Sequence, residues 1–257
     1  IDMSRWAVIA CDQYTSQPDY WAQVEEIVGS EPSTLNLTFP EIYLDSGDDK
    51  KIVNRINKNM KEYMEKEVLQ ALSPGFILVD RSTSHTLSRK GLVLSLDLEK
   101  YDYSGGSQSL IRATEGTIVD RLPPRVKIRK DASLELPHIM VLIDDPDETV
   151  IEPLSENISS LQKVYDFELM MGGGHIKGYK VDDEKALSGI ASALENLSNP
   201  ESFKKKYGIG NDTGVMVFAV GDGNHSLASA KVHWENIKKG LSQDELSSHP
   251  ARYALVE

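Results

Sequence analysis

Gly214–Lys239 reads GVMVFAVGDGNHSLASAKVHWENIKK, and the change of pattern inside it decides the fold. Val215, Met216, Val217, Phe218, Ala219 and Val220 form a short continuous apolar run, as in a strand buried on both faces. Gly221-Asp222-Gly223-Asn224-His225 interrupts it with turn residues. Leu227, Ala230, Trp234 and Ile237 follow at spacings of three, four and three, the stripe of an amphipathic helix. A strand that passes through a glycine-rich turn into a helix leaves backbone N–H groups free at the helix start, which suits an anion. Asn224 or Ser226 is placed to cap that helix.

The same alternation continues outward. Trp6–Cys11 (WAVIAC) reads as a first buried strand, and Pro18, Asp19 and Tyr20 open a helix running to about Val28. Asp48–Leu72 carries the longest helical pattern, with Asp48 and Asp49 at its positive end and Pro74-Gly75 as its stop. Phe76–Val79, Leu92–Leu98, Ile139–Ile143, His175–Val181 and the terminal ARYALVE read as strands. Pro153–Tyr165, Glu184–Leu197 and Asn199–Tyr207 read as helical, Asp102–Gln108 as a Ser/Gly loop and Ile111–Lys130 as irregular. The class is therefore α/β or α+β, with a mixed sheet and flanking helices. Residues 1–257 read as one unit, with Lys130–Leu136 the best place for a sub-boundary. The start at Ile1 and the strand-like end suggest a chain clipped at one or both ends.

The 257 residues are 40% hydrophobic and 26% charged, enough for one large domain or two modest ones. No apolar run approaches the roughly 20 residues of a membrane helix. The single cysteine, Cys11, excludes an internal disulfide and fits a reducing cytoplasm. The balance of 28 basic and 40 acidic residues gives a net charge of −12, which disfavours nucleic acid and anionic membranes as partners. Oligomeric state is not legible.

Three segments carry candidate chemistry. In GDGNHS, Asp222 could orient a partner or bind a cation, and His225 could contact a phosphate or shuttle a proton. The plainer alternative is a capped strand-to-helix connection. In IRATEGTIVDRLPPR, Arg112, Arg121 and Arg125 gather positive charge in an acidic chain, with Glu115 in the turn between them. A solvated ribbon of ion pairs would look the same. In CDQYTS, Asp12 and Tyr14 emerge at a strand end, where open sheets commonly bind ligands. Asp12 suits a general base or metal ligand, or merely starts a turn, whereas Cys11, closing an apolar run, reads as a buried, inert thiol. MGGGH (Met171–His175) lacks the Lys-Ser/Thr ending of a phosphate loop and reads as a hairpin turn. His85 sits in a polar loop, and His138, His233 and His249 lack partners at metal-ligand spacing.

VGDGNHSLASAK resembles the DGHHR segment of domain-of-unknown-function family 1015, found in bacteria and archaea. WAVIACDQYTSQPDYW, IRATEGTIVDRLPPR and ARYALVE are similar to further segments of that family, so the resemblance spans most of the chain in scattered blocks. The family's motif is in turn similar to that of the ParB/sulfiredoxin-like nucleotide-binding fold, which includes free-serine kinases. The resemblance implies a ParB/sulfiredoxin-like core with elaborations, and nucleotide phosphates held at a helix N-terminus. Asp222, Gly223 and His225 match the family motif, whereas Asn224 replaces a His and Ser226 replaces an Arg. Arg112, Arg121 or Arg125 would then supply the guanidinium missing at Ser226.

The leading expectation is an ATP-type nucleotide-binding enzyme, using Mg²⁺ and transferring phosphate to a small hydroxyl compound such as an amino acid. Gly221, Gly223, Asn224 and Ser226 form the cradle, Asp222 makes the cation contact, and Asp12 or Glu115 is the base. Two alternatives stand beside it. One is a nucleotide- or anion-binding regulatory module without turnover, and the other a metal-dependent phosphoesterase, which needs several separate metal ligands.

Overall fold

The computed structural model describes residues 1–44 and 46–257. Among these, the helices are α1 (Met3–Trp6), α2 (Pro18–Val28), α3 (Asp49–Glu65), α4 (Leu122–Lys130), α5 (Glu152–Glu156), α6 (Glu184–Leu197), α7 (Pro200–Tyr207), α8 (Asn224–Ile237) and α9 (Gln243–Ser248). The strands are β1 (Phe76–Ser82), β2 (Arg89–Asp97), β3 (Tyr101–Asp102), β4 (Ile111–Ala113), β5 (Met140–Leu142), β6 (Gln162–Leu169), β7 (Gly174–Val181), β8 (Phe218–Asp222) and β9 (Tyr253–Val256).

The chain is a mixed α/β structure with two sheets in place of the single mixed sheet expected. One is antiparallel, in the order β6-β7-β1-β2-β9. The other, β3-β4-β8-β5, is parallel except for β5, which runs against β8. The two sheets meet at one corner, where Ile139 bridges Val256 and the Glu257 N–H donates to the Ile139 carbonyl at 2.9 Å. The Val141 N–H returns a bond to the Glu257 carbonyl at 2.8 Å.

Three apolar clusters hold the layers together. Leu96 and Val256 of the antiparallel sheet join Tyr101, Ile111 and Val220 of the mixed sheet in burying the face of α8 that carries Leu227 and Trp234. Leu227 and Ala230 are 0% exposed and Trp234 1%, as the stripe predicts. Burying one Leu-sized side chain this completely stabilises by roughly 1.5–3 kcal/mol. Leu78, Leu92, Val181 and Ile190 pack α6 on the antiparallel sheet. Leu37, Phe39, Ile56 and Met60 form a third cluster, against which Ile128, Ala132, Leu134 and Leu136 pack. The segment 130–136, singled out as a sub-boundary, is thus tied to this third cluster.

Several expectations are corrected. Trp6–Cys11 is not a strand: Trp6 closes α1, and the rest of the segment pairs with side chains and with backbone groups of the flanking turns and loops rather than with a neighbouring strand. The Trp6 carbonyl accepts from the hydroxyls of Ser33 and Thr34 at 3.2 and 2.8 Å, and the Val8 N–H donates to Thr34 Oγ1 at 3.1 Å. The Cys11 carbonyl accepts from the Glu41 N–H. α3 ends at Glu65, well before Pro74, with Glu67 in the left-handed region. The segment 111–130 is not irregular throughout: it contributes β4 and then α4, with prolines in the first turn of α4, where a missing N–H costs nothing. The helical reading of 153–165 holds only to Glu156, and by Gln162 the chain is in β6. β8 starts three residues late and takes Gly221 and Asp222 into the ladder, so the turn reduces to Gly223. The β6–β7 connection is a hairpin, with Met171, Gly172 and Gly174 at positive φ. No helix among the described residues is long and apolar enough to cross a membrane.

Candidate functional site

Gly223 makes the corner between β8 and α8. Its φ of +79° lies in the left-handed region, and a Cβ there would sit 3.1 Å from the Ile139 Cα, so the position demands glycine on two counts. Its N–H donates to Asp222 Oδ1 at 2.8 Å. Among the described residues no side chain caps α8, and the N–H groups of Asn224, His225 and Ser226 are there the unpaired first-turn donors of a 14-residue helix. Asn224 does not cap as expected. It is 5% exposed, and its Oδ1 accepts from the Thr114 N–H at 3.2 Å. Thr114 Oγ1 in turn donates to the Val220 carbonyl at 2.5 Å. This stitch joins the ends of β4 and β8 and lays the following loop over the first turn of α8.

The stitch brings two of the sequence-predicted residues together. His225 Nδ1 lies 3.5 Å from Glu115 Oε1, and its Nε2 accepts from the Ile118 N–H at 3.2 Å. That pattern assigns the ring proton to Nδ1, directed at the carboxylate. Glu115 remains 57% exposed while His225 is 15% exposed, so the imidazole is the anchored member of the pair.

Ser226 has a partner that sequence spacing could not show. Its Oγ is 2.8 Å from His138 Nε2, and His138 Nδ1 approaches the Leu136 carbonyl at 3.4 Å. Both line a cavity of about 150 Å³ with Cys11, Phe39, Met60 and Arg125. The cavity forms because α4 packs along α8 and carries Arg125 to the Ser226 side. Arg125 pairs there with Glu41 and donates to the Arg121 carbonyl at 2.8 Å. Burial, and then the charges of Asp12 and Glu41, push the Cys11 thiol up to about 12.

The remaining candidates lie apart. Arg112 donates to the carbonyls of Ser109 at 2.8 Å and of Gly214 and Val215 at 2.7 and 3.2 Å. Its guanidinium therefore sits at the end of the β4–β8 pair opposite to Gly223. Arg121 is exposed at the start of α4. Lys127, Arg129 and Lys130 occupy the last turn of that helix, where positive charge complements the dipole. Asp12 is half-buried, with Gln13 Nε2 at 3.4 Å from its carboxylate, and it makes no hydrogen bond to the corner among the described residues. No three His, Cys, Asp or Glu side chains come together as a metal-holding group among the described residues.

A family model described as "Protein of unknown function (DUF1015)" matches residues 1–257, and the chain belongs to that family. No curated protein and no solved structure matches it.

Proposed function

We propose that this member of the DUF1015 family binds a nucleotide of the ATP type at the start of α8 and transfers phosphate to a small hydroxyl substrate. The observation that carries the reading is the uncapped first turn of α8, reached through Gly223 and flanked by the Glu115–His225 pair. Three aligned N–H groups and the helix dipole favour phosphate oxygens there. The ParB/sulfiredoxin-like relation implied by the GDGNHS segment supports the same assignment.

In the transfer, the substrate oxygen bonds to the terminal phosphorus as the bond from that phosphorus to the bridging oxygen breaks. The hydroxyl proton passes to Glu115, the exposed carboxylate of the corner. Both ring nitrogens of His225 face protein groups, so its role is to hold Glu115 rather than to carry a proton. Mg²⁺ is ordinarily held by one or two carboxylates together with substrate phosphates. Asp222, exposed at the end of β8, suits that arrangement, and the cation would neutralise phosphate charge.

Thermal unfolding with ATP, ADP, CTP and GTP, with and without Mg²⁺, tests the reading. A ligand at a hundredfold excess over its Kd stabilises by about 2.7 kcal/mol. One nucleotide is expected to stabilise the wild type but not Ser226→Asp, whose carboxylate suits the helix start yet repels phosphate. Absence of any shift in the wild type removes the proposal. A second reading, an anion-binding module without turnover, draws on Asn224, which serves the β4–β8 stitch rather than a ligand. Nucleotide binding without product across a panel of hydroxyl acceptors would favour it.

A further inference from the structure

The β1–β2 hairpin places two arginines face to face. Arg81 and Arg89 are directly opposed across the antiparallel ladder, where like charges destabilise. With Thr83 and Thr86 they line a cavity of about 220 Å³. Arg89 is answered in part by Glu257, whose Oε1 lies 3.2 Å from its Nη2. Arg81 donates only to the Gly173 carbonyl at 2.9 Å and has no ion-pair partner among the described residues. In both arginines Nε is buried and without a hydrogen-bond partner among the described residues. A buried guanidinium N–H left unpaired is costly, and here two occur on residues directly opposed across one ladder. Burial, reinforced by the charge of Arg89, pulls the Arg81 guanidinium below its ordinary value. Two opposed guanidinium groups, with threonines beside them, are complementary to a phosphate oxyanion.

The cavity adjoins the corner already described. Arg89 Nη1 lies 3.6 Å from Met140 Sδ, and Met140 is paired with Asp222 across the β5–β8 ladder. From this juxtaposition we infer that Arg81, Arg89, Thr83 and Thr86 form the subsite for the outer phosphates of the nucleotide. The inference rests on the nucleotide reading above and extends it. The guanidinium that Ser226 lacks is supplied by the hairpin rather than by Arg112, Arg121 or Arg125.

Titration calorimetry of the full chain with ATP, AMP and inorganic pyrophosphate separates the claims, using wild type, Arg81→Gln, Arg89→Gln and Arg81→Lys. Unfolding curves confirm that each variant folds, and Thr86→Val serves if an arginine variant does not. The wild type is expected to bind ATP at least tenfold more tightly than AMP. Either glutamine variant should abolish that preference and weaken pyrophosphate at least tenfold, with AMP affinity kept. Arg81→Lys should recover only part of it, because an ammonium lacks the planar fork. ATP binding that is preferred over AMP and indifferent to both arginines overturns the subsite while leaving the nucleotide reading intact. Pyrophosphate binding that depends on the arginines, with no nucleotide bound, keeps the anion subsite and removes the nucleotide reading. Failure of all three ligands to bind the wild type removes both.

Discussion

At the β8–α8 corner Asp222, Asn224, His225 and Ser226 all have protein partners, whereas at the β1–β2 hairpin the Nε donors of Arg81 and Arg89 are buried without a partner among the described residues. The two regions lie on either side of the junction between the sheets. The corner is polar because the fold needs it so: Gly223 turns the chain, Asn224 stitches β4 to β8, and the backbone N–H groups alone are left over. The hairpin is polar at the expense of the fold, since it opposes two like charges that nothing among the described residues fully answers. Substitutions should therefore change stability in opposite directions in the two places.

The largest effect is expected at the corner. Gly223→Val adds a Cβ 3.1 Å from the Ile139 Cα at a φ of +79°, and should cost roughly 2–5 kcal/mol in urea unfolding. A loss under about 1 kcal/mol would mean that the corner relaxes freely, and the assignment of its geometry would fall. Asn224→Ala leaves the Thr114 N–H unpaired and should cost roughly 1–3 kcal/mol. Arg81→Gln, by contrast, relieves cross-strand repulsion and should raise stability by about 0.2–1 kcal/mol when no anion is present. If it destabilises as much as Asn224→Ala does, the hairpin arginines are structural and the contrast disappears.

A third polar cluster sharpens the comparison at the small end. On β6–β7, His175 is held by Asp166 at 2.5 Å and Glu168 at 2.7 Å, on the surface. Hydrogen bonds to Asp166, and then to Glu168, raise the imidazole above its ordinary value. A histidine raised in the folded state contributes stability that is fully present below its unfolded value and is lost as pH rises through the folded one. Stability should therefore decline slightly as pH rises past the ordinary histidine value, and Asp166→Asn should remove that slope. An NMR titration of His175 in the wild type that stays at the ordinary histidine value would show that its carboxylates are solvated rather than paired.

The corner was legible from sequence because local signals there agree: an apolar run, glycine at the one position of positive φ, and a helical stripe with Leu227, Ala230 and Trp234 fully buried. MGGGH was legible for a related reason, since a strand-like alternation follows it and the hairpin needs its glycines. Trp6–Cys11 misled because a strand is made by its partner, and Ser33, Thr34 and Glu41 take the backbone groups first. Two other features depend on tertiary pairing. Ser226 and His138 are 88 residues apart and meet only once β5 has docked beside β8. Arg81 and Arg89 flank the heptapeptide STSHTLS, which reads as an ordinary loop, and only the ladder register reveals that they face each other. The basic stretch from Arg121 to Lys130 drew notice as a charge run, yet its last turn is explained by the helix C-terminus it decorates.

The most direct test of the nucleotide site is an amide NMR titration of the 257-residue chain with Mg²⁺ and ATP. The largest shifts are expected at the amides of Asn224, His225 and Ser226, with the indole of Trp234, buried farther along α8, unmoved. Saturable binding that leaves those three amides in place and shifts another surface would contradict the account, because the phosphates would then lie away from the start of α8.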